Sequence, residues 1–125
     1  MQLELGKILH ASFLIADLER SLEFYTGVLG LSVNTARPDL GYPGAWLQLD
    51  AGQQIHLLQL PNSDLADDRP AHGGRDRHVA LAVNSIAALA EQLAANDVPY
   101  SLSKSGRRAL FCRDPDGNAL EFVET

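Results

Sequence analysis

The chain of 125 residues is predicted to adopt an α+β fold, in which two βαβββ modules form a curved mixed sheet with the helices on its convex face. The order strand, helix, strand, strand, strand occurs twice along the sequence. Two pairs of corresponding positions in the two halves have the same separation along the chain: His56 and Glu121 are 65 residues apart, and so are Gly52 and Gly117. The halves share few identical residues, so the repeat is one of pattern and element order. The predicted units are a single domain over 1–125, modules over 7–60 and 77–124, and a linker over 61–76.

The first module opens on an apolar stretch at residues 8–16, whose β-branched and aromatic members are typical of a strand. Asp17 follows and is a suitable helix N-cap, because its carboxylate can accept from free backbone N–H groups. Apolar residues then recur at helical spacing from Leu18 until Gly30, where the helix is expected to end. Further strands are predicted at 31–36, 45–50 and 54–60, with a turn-rich loop at 38–44 and a turn at 51–52.

The second module repeats this order. A strand is predicted at 77–84, and Ser85 is expected to cap a helix that ends near Asn96. A tight turn is predicted at residues 114–118, because Pro115 fixes its own φ and Gly117 permits a positive φ. The remaining strands are predicted at 98–103, 107–113 and 119–124.

Composition and charge narrow the class of protein. The net charge of −6 disfavours nucleic acid and anionic membranes as partners. A single cysteine, Cys112, excludes an intramolecular disulfide and fits a reducing compartment. The first seven residues do not resemble a signal peptide, and no apolar run approaches the ~20 residues that span a bilayer. A soluble cytoplasmic protein is therefore expected.

Four side chains are candidates for binding a divalent metal ion. Two of them open the first strand of each module, and two lie in the last strand of each module. Because successive side chains of a strand face opposite sides, their apolar neighbours are expected to pack under the helices and the candidates to share the concave face. Three imidazoles and a carboxylate suit iron, manganese, nickel, cobalt or zinc. The candidates are His10, His56, His78 and Glu121, with His56 expected either as a ligand or as a contact of a ligand or of the substrate.

Arginine and aromatic side chains are candidates for substrate binding. Arginines can hold an anionic group by paired hydrogen bonds, although solvated surface charges give the same pattern. Trp46 and Phe111 occupy matching places in the two modules and either line the concave surface or pack in the core. Cys112 has the opposite parity to Phe111 and is expected to be a buried, inert thiol. The candidates are Arg75, Arg77, Arg113, Trp46 and Phe111, with Arg107 and Arg108 as further arginines.

Three segments are similar to the vicinal oxygen chelate superfamily: LHASFLIADLERSLEFYTGVLGL at 9–31, GGRDRHVA at 73–80 and RDPDGNALEF at 113–122. This superfamily includes glyoxalase I, bleomycin-resistance proteins, fosfomycin-resistance transferases and extradiol dioxygenases. The resemblance implies a glyoxalase-like cup in which His10, His78 and Glu121 match the ligand positions of the dioxygenase and fosfomycin-resistance branches. Glu121 is then also the expected catalytic residue. His56 stands where glyoxalase I usually has a glutamate tied to proton transfer, which argues against glyoxalase I activity itself.

The resemblance implies a divalent-metal-dependent enzyme, in which the ion acts as a Lewis acid on a small oxygen-rich substrate. Lyase or isomerase, dioxygenase and thiol-transferase chemistry all remain open. The alternatives are a metal-free binding protein of the bleomycin-resistance type and a regulatory domain with an incidental metal site. A homodimer is expected, and the site forms either within one chain or across two.

Overall fold

A computed structural model of the protein describes residues 1–64, 68–103 and 105–125. Each module forms its own four-stranded mixed sheet, which confirms the predicted α+β fold of two βαβββ modules. The first module contains β1 (His10–Ile15), α1 (Leu18–Leu22), β2 (Ser32–Asn34), β3 (Gly44–Gln48) and β4 (Gln54–Gln59). The second contains β5 (His78–Val83), α2 (Ile86–Ala95), β6 (Tyr100–Leu102), β7 (Ala109–Arg113) and β8 (Ala119–Glu124). Within the described residues, no helix has the length and apolarity needed to cross a membrane.

The two sheets have the same topology. Their strand orders are β1-β4-β3-β2 and β5-β8-β7-β6. The first strand of each module pairs in parallel with the last, whereas the remaining neighbours are antiparallel. The crossover through the helix therefore places the two strands that carry the candidate ligands side by side in each module.

The first helix differs from the regular helix that the sequence predicts. After α1 the chain continues as a π-helix over Glu23–Val28, and the N–H of Leu29 donates to the carbonyl of Phe24 at 3.0 Å. This wider turn leaves the consecutive residues Phe24 and Tyr25 both buried. Most of the predicted strands are shorter in the structure. Leu9, which as the apolar neighbour of His10 is expected to pack under the helices, precedes β1 and is exposed.

The side chains that form the core follow the predicted faces of the strands. Ile55 and Leu57 on β4 are buried, and so are Leu120 and Phe122 on β8. These side chains belong to one hydrophobic core that includes residues of both helical segments. His10 and His78 project from the opposite, exposed side of β1 and β5.

The two modules are joined through the turn between β7 and β8. The hydroxyl of Tyr25 donates to Asp114 at 2.8 Å, and Arg20 forms an ion pair with Asp116 at 2.7 Å. The side-chain amide of Asn118 donates to the carbonyl of Leu14 at 3.3 Å. The predicted turn thus also forms the contact between modules. Of the predicted linker, residues 65–67 lie outside the described part, and a short 3₁₀ turn occupies Gly73–Arg75.

Gly44 is a sensitive position of the first sheet. A Cβ atom at this position would overlap the carbonyl oxygen of Leu57 and come within 2.8 Å of the Arg37 guanidinium. We expect Gly44→Ala to destabilise the protein by about 1–3 kcal/mol, because backbone has to shift to admit the methyl group. Urea unfolding measures this loss. Gly27→Ala is the matched control, since its Cβ would meet nothing within 4 Å; an equal loss in both variants would contradict the expectation.

Candidate metal centre

The first half of the site is a pair between β5 and β8. Glu121 is only 4% exposed, and its two carboxylate oxygens face different partners. Oε1 lies 3.2 Å from Nε2 of His78, whereas Oε2 accepts from the Arg107 guanidinium at 2.5 Å. The carboxylate is therefore buried with one oxygen held by a cation and the other facing an imidazole.

The backbone settles which nitrogen of His78 carries a hydrogen. Nδ1 lies 2.8 Å from the carbonyl oxygen of Asp76, which can only accept, so Nδ1 must donate. In the neutral ring Nε2 is then a bare acceptor that faces another acceptor, Glu121 Oε1. Two acceptors at 3.2 Å need a positive charge between them, supplied either by a proton or by a metal ion. Two ligands of one ion, each at about 2.0–2.2 Å, have a comparable separation.

The loop residue that orients His78 is itself firmly held. The Asp76 carboxylate accepts from Arg69 and from Arg113, both at 2.8 Å. Burial raises the pKa of the Asp76 carboxyl. The hydrogen bonds from Arg113 and Arg69, with smaller contributions from neighbouring groups, together have the larger, opposite effect, so the pKa of Asp76 lies below its usual value. The segment that precedes β5 is thereby anchored, and its carbonyl is fixed against the His78 ring.

The second half of the site is a stack of three rings on the first sheet. The His56 ring lies between His10, at a centroid distance of 3.8 Å and an interplanar angle of 11°, and Trp46, at 4.6 Å and 7°. Nε2 of His56 lies 2.8 Å from the amide oxygen of Gln54. Burial, followed by the charges of His10 and Arg37, lowers the pKa of His56, which favours the neutral form of its ring.

The two halves are not brought together within one chain. In the described ranges, which omit residues 65–67 and 104, no three His, Cys, Asp or Glu side chains are close enough to hold one ion. The four predicted ligands instead form two pairs on separate sheets, His10 with His56 and His78 with Glu121. Among the described residues of one chain, these candidates therefore do not form a single ligand set.

The residues predicted to contact substrate differ in their contacts and in their exposure. Arg113 is engaged in the loop by Asp76 and by two backbone carbonyls, and Arg77 pairs with Asp64. Arg75 is exposed at the end of its 3₁₀ turn. Phe111 is 7% exposed and packs edge-on against His78 at 5.6 Å. Trp46 stacks on His56, so each of the two aromatic candidates contacts one of the candidate ligand pairs.

The cysteine has no place in the chemistry of this site. Cys112 is buried on β7, as expected from its parity. Burial, with a smaller contribution from Asp114, raises the pKa of the thiol to about 12. The thiol is therefore protonated near neutral pH and is not a nucleophile.

Sequence patterns do not distinguish two polar residues of this site. Arg107 is one of several arginines in the chain, yet it holds the buried carboxylate of Glu121. Gln54 is not a residue type that suggests metal binding, although it contacts His56. Its position two residues before His56 on one strand is a usable signal, because such residues share a face.

Comparisons of the sequence and of the structure with known proteins agree on one family. The family model described as Glyoxalase/Bleomycin resistance protein/Dioxygenase superfamily matches residues 7–122. A protein of Haemophilus influenzae named lactoylglutathione lyase is 30% identical over 94% of this chain and 92% of its own length. The solved trypanothione-dependent glyoxalase I of Leishmania major has a TM-score of 0.70 at 26% identity, covering 95% of this chain and 86% of that one.

A more distant structure shares the fold alone. The genomically encoded fosfomycin resistance protein of Listeria monocytogenes aligns with a TM-score of 0.75 but only 14% identity. The alignment covers 96% of this chain and 91% of that chain. Similar folds in this group therefore occur in proteins with different names.

Proposed function

Because the chain belongs to the Glyoxalase/Bleomycin resistance protein/Dioxygenase superfamily, we propose that it is a divalent-metal-dependent enzyme of the lyase or isomerase type. The proposed substrate is a small molecule with adjacent oxygen atoms. A bound ion supplies Lewis-acid stabilisation of the negative charge that develops on such oxygens. The named lactoylglutathione lyase at 30% identity supports this type of reaction over oxygen insertion or thiol transfer.

The observation that carries the proposal is the contact between His78 and Glu121. Nδ1 of His78 is used by a backbone carbonyl, and the Nε2 electron pair faces Glu121 Oε1 at 3.2 Å. A neutral imidazole and a carboxylate with their electron pairs directed at each other are a suitable donor set for a divalent cation. Arg107 keeps the second carboxylate oxygen occupied, so Oε1 is the atom that would hold the ion.

We assign the ligand roles to His10, His78 and Glu121, with His56 as a neighbour of the ion. An imidazole ligand holds a metal ion close to the plane of its ring. The rings of His10 and His56 are nearly parallel, with centroids 3.8 Å apart, so their nitrogens do not converge on one point and only one of the two rings would hold the ion. His10 is the more exposed of the two and is free to meet an ion on the open face.

A complete site requires a second copy of the chain. The pair on the first sheet and the pair on the second are separate, so we propose a homodimer in which His10 of one copy meets His78 and Glu121 of the other. The segment before β1 supports such an assembly. Its apolar side chains Leu3, Leu5 and Ile8 are between 73% and 91% exposed, which is unusual for a surface without a partner.

The side chains around the ion have separate tasks in this proposal. Arg107 holds the carboxylate of Glu121, and its positive charge also favours an anionic substrate nearby. The small side chains Ala80 and Ala82 leave space on the exposed face of β5. His56, neutral and flat against Trp46, offers a polar edge beside a hydrophobic surface.

Turnover of the hemithioacetal of methylglyoxal and glutathione tests the proposal. Protein loaded with nickel or zinc is expected to form lactoylglutathione, measured by ultraviolet absorbance, with the neutral ring of His56 accepting the proton in place of the glutamate that glyoxalase I usually has there. Glu121→Gln is expected to lower kcat/KM by about 100-fold or more. Arg108→Gln is the matched control, since Arg108 pairs with Glu124 away from the site. No turnover with either metal would exclude this substrate.

Two further measurements separate the other classes of protein. Oxygen uptake with catechols under ferrous iron would assign the protein to dioxygenase chemistry instead. Tight ligand binding without turnover by metal-free protein would favour a sequestering function of the bleomycin-resistance type. Either result would overturn the proposed lyase or isomerase activity.

A further inference from the structure

Three amide side chains cross the first sheet and end on the ring of His56. Asn34 lies on β2, Gln48 on β3, and Gln54 on β4, two residues before His56. Gln48 Oε1 accepts from Asn34 Nδ2 at 2.9 Å and from Gln54 Nε2 at 3.1 Å. Gln54 Oε1 then meets His56 Nε2 at 2.8 Å. We call these three residues the amide row.

The backbone fixes the orientation of the central amide. Nε2 of Gln48 lies 3.0 Å from the carbonyl of Leu49 and 3.3 Å from that of Gln53. Carbonyl oxygens only accept, so the nitrogen of the Gln48 amide must face them. Its oxygen is consequently directed at the two neighbouring amides, which must donate to it.

The first amide provides an independent check. Oδ1 of Asn34 accepts from the backbone N–H of Ala36 at 2.9 Å, which only donates. The Asn34 nitrogen must therefore face Gln48, in agreement with the orientation that the carbonyls impose. The amide row is thus anchored to the backbone at two separate points.

The orientation of the amide row reaches the imidazole through Gln54. Its nitrogen is used by Gln48, so its oxygen faces His56 Nε2 and can only accept. His56 Nε2 must carry the hydrogen, and in the neutral ring Nδ1 keeps a free electron pair. Stacking between His10 and Trp46 fixes the plane of the ring, so this electron pair has a defined direction.

We infer that Gln48 and Gln54 are positioning residues, which hold His56 in the Nε2–H tautomer so that Nδ1 is the acceptor that this ring presents to a substrate. The substrate class is narrowed accordingly to molecules with a hydroxyl or another hydrogen-bond donor next to the chelating oxygens. This role rests on the proposed function of the same site, but the tautomer itself is a property of the metal-free protein.

Two-bond ¹H–¹⁵N correlation spectra of metal-free, ¹⁵N-labelled protein test the inference, because they distinguish protonated from bare ring nitrogens. His56→Gln assigns the signals by their loss. We expect a single Nε2–H tautomer in the natural sequence. In Gln54→Leu and Gln48→Leu the ratio of Nε2–H to Nδ1–H tautomer is expected to fall about five-fold, the factor that a hydrogen bond of about 1 kcal/mol provides.

Two variants make the test specific. Gln54→Glu keeps an acceptor at the same place and is expected to retain the Nε2–H tautomer. This variant still tests the inference if a leucine variant does not fold. Gln53→Leu is the matched control, since its side chain donates to the carbonyl of Ile8 outside the amide row, and no change is expected. An Nδ1–H tautomer in the natural sequence or in Gln54→Glu, or unchanged spectra in both leucine variants, would overturn the inference. Because no metal and no turnover enter these spectra, the outcome is separate from that of the hemithioacetal assay.

Discussion

The His10→Ala and His78→Ala variants are expected to bind metal when they are co-expressed, although neither variant does so alone. Each variant should lose at least about 100-fold in metal affinity, since removing only the hydrogen-bond partners of ligands already costs roughly 10–100-fold. In a mixed dimer the intact first module of one chain meets the intact second module of the other. One of the two sites is thereby restored.

The amount of recovered metal is set by the statistics of assembly. Random pairing makes half of the dimers mixed, and each mixed dimer has one intact site, so elemental analysis should find about a quarter of the natural metal content. Co-expression of His78→Ala with Glu121→Ala is the control, because both changes lie in the second module and no intact site can form. Equal metal content in the two mixtures would contradict a site shared between chains.

Asp114→Ala is expected to destabilise the protein by roughly 3–5 kcal/mol, because several buried donors lose their acceptor at once. Asp114 is 4% exposed and accepts from the hydroxyl of Tyr25 and the side-chain amide of Asn118, both at 2.8 Å. It also accepts from the backbone N–H groups of Asp116 and Asn118, each at 2.9 Å. Urea unfolding near neutral pH measures the change in the free energy of unfolding.

Tyr25→Phe shows how much of this loss belongs to the contact between modules. It removes one donor to Asp114 and leaves the turn intact, so a loss of about 1–2 kcal/mol is expected. The double variant should be more stable than the sum of the two losses implies, since Asp114→Ala alone strands a hydroxyl that Tyr25→Phe removes. Strict additivity would show that the two side chains do not interact.

Much of the architecture could be predicted from local patterns. The order of elements, the turn at Pro115 and Gly117 and the packed faces of β4 and β8 all follow from side-chain alternation and turn chemistry. The π-helical turn after α1 could not be predicted, because its spacing differs from that of a regular helix by a single residue. The exposure of Leu9 could not be predicted either, because it depends on where the pairing between β1 and β4 begins.

The candidate site also has features that the sequence predicts and features that only the structure shows. Strand parity alone is enough to place His10, His56, His78 and Glu121 on the side of the sheets away from the core, because that rule is local. Strand pairing within each module brings His10 to His56 and His78 to Glu121, whereas the packing of the modules keeps the two pairs apart. The partners that orient the rings lie only two residues away in sequence, the carbonyl of Asp76 for His78 and the side-chain amide of Gln54 for His56, but the geometry of these contacts is visible only in the structure. A hydrogen bond requires a distance and a direction, and the sequence pattern supplies only the face.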